Sequence, residues 1–243
     1  MQAHLAILPA SPYSTPTNMS DSNAYLNSIS YGSPHSPVTK LPDYLANTNF
    51  AEMYYEAHEI LESVTFPTEW NVDDRSTYLS VDSDKLKVNY IGPGMNDSET
   101  AAIRANHSMP PQCGLFYFEI DIINKGEEGS IGIGFCTKQT PLNRLPGWED
   151  DSRGYHGDDG LAFCSGVSSP YGPKFTTGDT IGCCLNFRDG TAFYTKNGQH
   201  LGIAFRDLKG VLYPSIGLRT RGESIETNFG HKKFKFAIEH YMK

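Results

Sequence analysis

The chain has 243 residues, 38% of them apolar, enough for one substantial domain with a tail or for two small domains. Its formal charge of −8 argues against nucleic acid or an anionic membrane surface as the main partner, since both call for clustered Lys and Arg. Five Cys, an odd number with no Cys-x-x-Cys pair, argue against a cysteine zinc site and fit the reduced thiols of an intracellular protein.

Residues 1–48 are rich in Ser, Pro, Asn, Thr and Tyr, and the first forty are almost uncharged. Such a segment buries too little apolar surface to offset the entropy of ordering it, so a disordered tail is expected. Ser11-Pro12, Thr15-Pro16, Ser33-Pro34 and Ser36-Pro37 suit proline-directed kinases or belong to a plain Pro-rich tail, the reading we favour. Met1–Pro9 lacks the basic start and apolar length of a secretion signal, and no apolar run reaches membrane-spanning length. These features place the protein in the cytoplasm, with the nucleus also open to it.

Residues 49–65 change character. Phe50, Met53, Tyr54, Ala57 and Ile60 or Leu61 follow helical spacing, and Asn49 with Glu52 matches a capping box. A short amphipathic helix and linker are expected, packed on the following domain or docked on a partner. Packing is favoured.

From Phe66 to Met242 the pattern is β. Leu86, Val88 and Tyr90 alternate with polar residues. Phe116, Phe118, Ile120 and Ile122 form an apolar face, with Leu115, Tyr117, Glu119 and Asp121 on the other. Ile181, Cys183, Leu185 and Phe187 form a third alternating set. Asp189-Gly190 and Asn197-Gly198 are two-residue hairpin signals. Short strands, frequent Gly turns and almost no helix predict an all-β antiparallel sandwich. Cys136, Cys164, Cys183 and Cys184 sit in apolar strands as small buried hydrophobes. Lys232, Lys233 and Lys235 are read as a solvated edge.

The run from Leu145 to Gly160 has neither period. Four Gly, one Pro, four Asp and one Glu surround a few aromatics. This composition shapes loops, and long shaped loops on a β scaffold are where binding sits.

Several motifs occur in a telling order. Leu115–Ile120 and Ser130–Phe135 are followed by Asn143–Trp148, Gly154–Gly160, Tyr171–Asp179 and Ile181–Asn186. Phe193–Gly198, Leu201–Phe205, Asn228-Phe229-Gly230 and Ile238–Met242 complete the series. Over residues 66–242 this order resembles the SPRY domain of the RanBPM family. Two loop positions depart from that pattern: Arg153, where an aromatic or bulky residue is common, and the shortened Gly166–Ser169. The resemblance implies a scaffold subunit of a GID/CTLH ubiquitin ligase whose SPRY domain binds protein. In the fungal assembly that domain helps hold the substrate receptor. Relatives continue into LisH, CTLH and CRA helical regions, so the chain is either a fragment or a protein with the SPRY module alone.

Catalytic and metal readings are weak. Asp150, Asp151, Asp158 and Asp159 read as turn residues, since their spacing matches no calcium loop and no glycosidase pair is evident. His156 lacks a Ser or Cys nucleophile at recognisable spacing and reads as a loop-bonded histidine. We expect no enzyme, no cofactor and no metal site.

The binding residues expected are Arg104, Arg144, Leu145, Trp148, Tyr155, Arg219, Thr220 and Arg221. Trp148, with Arg144 and Leu145 just before it, sits in a polar loop, where it either anchors an interface or seals the end of the sandwich. The position of Arg104 resembles that of a pocket arginine in peptide-binding SPRY proteins. Arg219–Arg221 correspond to another rim loop. On this reading Arg104 and Tyr155 also lie on loops, and Arg104→Ala leaves the fold intact. The expected partner is a protein or an extended peptide, not nucleic acid or membrane. The rivals are a free-standing SPRY adaptor and a lectin-like sugar binder.

Overall fold

Alternating apolar residues and closely spaced Gly turns produce fourteen strands among the described residues of a computed structural model. The structure describes residues 41–46, 48, 51 and 64–241. Residues 1–40 and most of the helix expected over 49–63 lie outside the described residues.

The first seven-stranded sheet contains β1 (Trp70–Arg75), β4 (Ala101–Ala105), β13 (Tyr213–Leu218), β6 (Gly132–Cys136), β7 (Ser152–His156), β8 (Leu161–Cys164) and β9 (Val167–Pro170), in that order. The second contains β12 (Gln199–Phe205), β11 (Thr191–Lys196), β10 (Thr180–Asn186), β5 (Leu115–Lys125), β14 (Glu223–Asn228), β3 (Lys87–Tyr90) and β2 (Leu79–Val81). All pairings are antiparallel. A four-residue helix, α1 (Ile238–Tyr241), closes the described chain. The all-β sandwich expected from the sequence is present.

The expected apolar face of β5 forms the inner wall of the second sheet. Phe116, Phe118 and Ile120 are fully buried and pair across with Leu185, Cys183 and Ile181. Tyr155 of the first sheet meets Tyr194 of the second at 5.3 Å, closing the core between them. The Trp70 indole N–H donates to Thr227 Oγ1 at 2.8 Å in the same interior.

The opposite face of β5 differs from expectation, because Leu115, Tyr117 and Glu119 are buried as well. Two distant segments cover them. Tyr44 accepts the Tyr117 backbone N–H at 3.1 Å, and Phe234 stacks edge-on against Tyr117 at 4.9 Å. Glu119 accepts the backbone N–H groups of Lys235 and Phe236 and the Tyr117 hydroxyl. Leu41, Tyr44 and Leu45 are buried, so the tail boundary at 48 falls too late: 41–46 belong to the folded unit. Those few apolar residues are invisible in a composition average over a Pro-rich stretch.

The hairpin expected at Asn197-Gly198 is present, with both residues at positive φ and Lys196 facing Gln199. That at Asp189-Gly190 is longer. Asn186 pairs with Thr191, so four residues form the loop, and only Gly190 has positive φ. Cys136, Cys183 and Cys184 are buried and Cys164 half-buried. These four and Cys113 are all free thiols.

The packing generates a stability prediction. Phe118 contacts the Phe116 and Phe229 rings at 6.4 and 5.8 Å in the sealed core. Phe118→Ala is expected to cost about 3–5 kcal/mol through lost transfer energy plus a cavity. Denaturant unfolding measures this, and an unshifted midpoint would contradict the face assignment.

Candidate functional site

The loop between β6 and β7 lies flat on the outer face of the first sheet. Three adjacent strands present glycine beneath it. A Cβ at Gly154 would stand 2.1 Å from the Pro146 carbonyl oxygen, and one at Gly217 would stand 2.9 Å from the Leu145 side chain. Gly132, paired opposite Gly217, would meet the same two residues at 3.1 Å. Leu145 is therefore buried as the foot of the loop, and it also lines the cleft described below. Gly147 N–H donates to Ser152 Oγ at 2.5 Å, and Gly166 N–H donates to the Gly147 carbonyl at 2.9 Å.

Arg104 fixes the other end of this loop. It lies on β4, not on a loop, and is 4% exposed. Its guanidinium donates to both Asp74 oxygens at 2.9 Å and to the carbonyls of Thr137 and Thr140 at 3.2 and 2.6 Å. Lys138 Nζ reaches the same carboxylate at 2.6 Å. Burial alone would raise the Asp74 pKa, but the bonds from Arg104 and Lys138 outweigh it and hold the pKa below the usual value. Arg104 thus positions the loop and has no free donor fork to offer a peptide.

Tyr155 also departs from expectation. It lies on β7, fully buried, between Tyr171, Phe175 and Tyr194, with its hydroxyl bonded to the Pro173 carbonyl. It belongs to the core, because the strand alternation turns its ring inward while Gly154 faces the loop.

Trp148 is partly packed and partly exposed. One face stacks on Phe163 at 5.3 Å, and Phe163 stacks in turn on His156 at 4.1 Å. The indole is still 47% exposed. His156 is buried, which lowers its pKa, and its Nε2 lies 2.8 Å from the Pro146 carbonyl.

Trp148, Arg144, Leu145 and Glu149 form one wall of a cleft of about 250 Å³. Asp97, Thr100 and Arg219 complete it. Asp97 opens a 3-10 turn held by a capping box between Asn96 and Glu99. Arg219 bonds Asp97 at 2.6 Å, Glu128 at 2.5 Å and Ser130 Oγ at 2.9 Å. Arg144 lies 3.9 Å from Glu149; Arg144 is exposed and Glu149 half-buried. The cleft therefore joins an aromatic plate to two arginines and two carboxylates. That combination fits hydrogen-bonding and charged groups of a polypeptide.

Thr220 and Arg221 serve the rim indirectly. Arg221 Nε donates to the Pro93 carbonyl at 2.8 Å, tying down the neighbouring loop. Thr220 is buried, and its N–H and hydroxyl donate to Glu223 at 2.9 and 2.6 Å. Arg219 N–H donates to the same carboxylate at 2.5 Å. Burial raises the Glu223 pKa from 4.5 to about 7 despite these bonds.

Of the eight expected residues, the structure brings Arg144, Leu145, Trp148 and Arg219 together at the cleft. Arg104, Tyr155, Thr220 and Arg221 lie outside its lining. Asp97, Thr100 and Glu149 were missed, although Asn96-Asp97-Ser98-Glu99 carries a legible capping box.

A family model described as SPRY domain matches residues 115–232. A solved human SPRY domain superposes with a TM-score of 0.58 at 27% identity, covering 65% of this chain and 99% of that one. The SPRY domain of human HERC1 superposes with a TM-score of 0.55 at 18% identity, covering 68% and 99%, and shows the fold alone. The chain therefore carries a SPRY domain, a module of protein–protein interaction. Xenopus laevis Ran-binding protein 9 is 52% identical over 178 residues, which are 73% of this chain and 32% of that protein. Human Ran-binding protein 9 is 49% identical over 183 residues, 75% and 25% respectively. The chain belongs with the Ran-binding proteins 9 and 10, the RanBPM family. It spans about a third of the length of the curated relatives it matches.

Two predictions follow from the geometry. Arg104→Ala leaves Asp74 with Lys138 alone and removes the arginine donor from two loop carbonyls, so it is expected to destabilise the protein by about 3 kcal/mol. A thermal melt measures this, and a wild-type melt would show that the loop is held some other way. The second concerns pH. Glu223 titrates higher folded than unfolded, so its contribution is complete below about pH 4.5 and fades as pH rises through about 7. Wild type is expected to lose stability relative to Glu223→Gln between pH 5 and 8. A constant difference across that range would show that burial leaves Glu223 unshifted.

Proposed function

We propose that this SPRY domain is a scaffold module of a GID/CTLH-type ubiquitin ligase, binding a partner protein or substrate receptor through the Trp148 cleft. The observation that carries the reading is the cleft itself. A half-exposed Trp, two arginines and two carboxylates converge where the loops of the sandwich meet. Trp and Arg are the usual anchors of protein interfaces. Identity near one half to Ran-binding protein 9 supports the family context. The partner is an extended peptide segment, whose backbone carbonyls suit the Arg donors and whose basic groups suit Asp97 and Glu149.

The reading is of binding, not catalysis. We place the protein in the cytoplasm, with the nucleus also open to it, in keeping with five free thiols. Among the described residues no helix is long and apolar enough to cross a membrane. The net charge of −8 opposes contact with nucleic acid.

Calorimetric titration against the substrate-receptor subunits of the ligase tests this function. Trp148→Ala and Arg144→Ala are each expected to weaken binding by about 2 kcal/mol, roughly thirtyfold, with the fold retained. Lys233→Ala, at an exposed position away from the cleft, serves as the control. Full binding by a folded Trp148→Ala, Arg144→Ala double variant would remove the cleft from the interface.

A further inference from the structure

The end of β7 and the turn that follows it carry a group of side chains that do not line the cleft. His156, Asp158 and Asp159 each bring a ligand atom within 4.8 Å of the others. Ordinary turn chemistry accounts for Asp159, whose Oδ1 accepts the Leu161 N–H at 2.8 Å. It does not account for Asp158. Its Oδ1 is buried with no hydrogen-bond partner, and its Oδ2 receives only Ser130 Oγ at 3.3 Å. A buried carboxylate oxygen without a donor is costly unless something positive meets it.

His156 gives a second, independent sign. It is 2% exposed, and the one hydrogen bond of its ring is between Nε2 and the Pro146 carbonyl. A carbonyl can only accept, so Nε2 carries the proton and Nδ1 keeps its lone pair. No described residue donates to Nδ1. An imidazole held by one N–H on a backbone carbonyl, with the other nitrogen free, is how proteins orient a metal ligand.

We propose that His156, Asp158 and Asp159 form a binding site for one divalent transition-metal ion of the zinc class. Two carboxylates balance the charge of such an ion. The imidazole favours zinc over calcium, which takes six or more oxygens. Burial falls from His156 through Asp158 to exposed Asp159, which leaves an entry from the Asp159 side. Metal–oxygen and metal–nitrogen bonds of about 2 Å bring ligand atoms within about 4 Å of one another, so a small movement of Asp159 closes the set. The turn is otherwise fixed. Gly160 N–H donates to the His156 carbonyl at 3.1 Å, Gly157 N–H to Ile131 at 3.0 Å, and Phe175 N–H to Gly157 at 3.2 Å.

The test uses the whole chain, stripped with a chelator and titrated with Zn²⁺ by calorimetry, with a thermal melt alongside. Wild type is expected to bind one equivalent at this turn and to melt at a higher temperature once loaded. Asp159→Asn keeps the Oδ1 acceptor for Leu161 and is expected to weaken binding at least about tenfold. It should leave the metal-free melt unchanged. Asp158→Asn with Asp159→Asn is expected to abolish binding at this turn. Substituting Co²⁺ should give a visible absorption band that the double variant lacks. No stoichiometric binding by wild type would overturn the proposal. So would equal binding by the variants, which would place the ion on other histidines such as His107 or His231. Tighter binding of Ca²⁺ than of Zn²⁺ would overturn the assigned class. If the double variant does not fold, Asp159→Asn alone decides.

Discussion

From Leu115 to Ile120, strand β5 is sealed on both faces, and much of the molecule is arranged to meet that demand. Its inner face supplies Phe116, Phe118 and Ile120 to the sandwich core, while its outer face presents Leu115, Tyr117 and Glu119, which water cannot be left to cover. The segment 41–46 and the segment 234–238 meet over it. Glu119 is the charged member of that layer. Three donors converge on its carboxylate, two of them backbone N–H groups that no strand would otherwise pair. Burying a charge is tolerable because its lone pairs are taken. The sequence neighbours of both termini of the domain are thereby tied to its central strand.

From β5 the order propagates to the surface. β14 pairs with β5 from Glu223 to Asn228, which places Glu223 at the head of the strand. Glu223 gathers the backbone of Arg219 and Thr220. Arg219 then stands at the cleft between Asp97 and Glu128. Arg104 performs the matching task for the other wall, using Asp74 as its counter-charge and the loop carbonyls as its load. Arginine has two uses here. Where it is buried and fully bonded, as at 104, it sets geometry. Where it is half exposed, as at 219, or exposed, as at 144, it lines the cleft.

The strands were legible in the sequence because their period is carried by large apolar residues, as in Phe116, Phe118 and Ile120. The face opposite was misread because Tyr117 and Glu119 look like solvent residues. Only contacts from more than seventy residues before and more than one hundred after show otherwise. Trp148 stood out as an aromatic in a polar loop, and it lines the cleft. Arg104 stood out by position alone, and one position does not tell which side of a strand a guanidinium leaves from. Tyr155 was assigned to a loop because the Gly-rich run around it hides a strand. Asp97 and Thr100 reach the cleft through a turn whose capping box was present but unread, and nothing local links that turn to residue 148.

The glycine bed under the loop has a consequence for how such a domain can diversify. Leu145 and Pro146 are located by the absence of side chains at Gly132, Gly154 and Gly217, a fit that rests on those two loop residues and not on the ones the loop carries outward. Positions 144, 148 and 149 can therefore exchange chemistry without moving the frame that presents them. One added methyl in the bed, by contrast, displaces Arg144, Trp148 and Glu149 together. Vocabulary and grammar are written in separate parts of the chain. New binding meanings can arise by rewriting three outward residues, while the syntax that makes them readable stays fixed beneath.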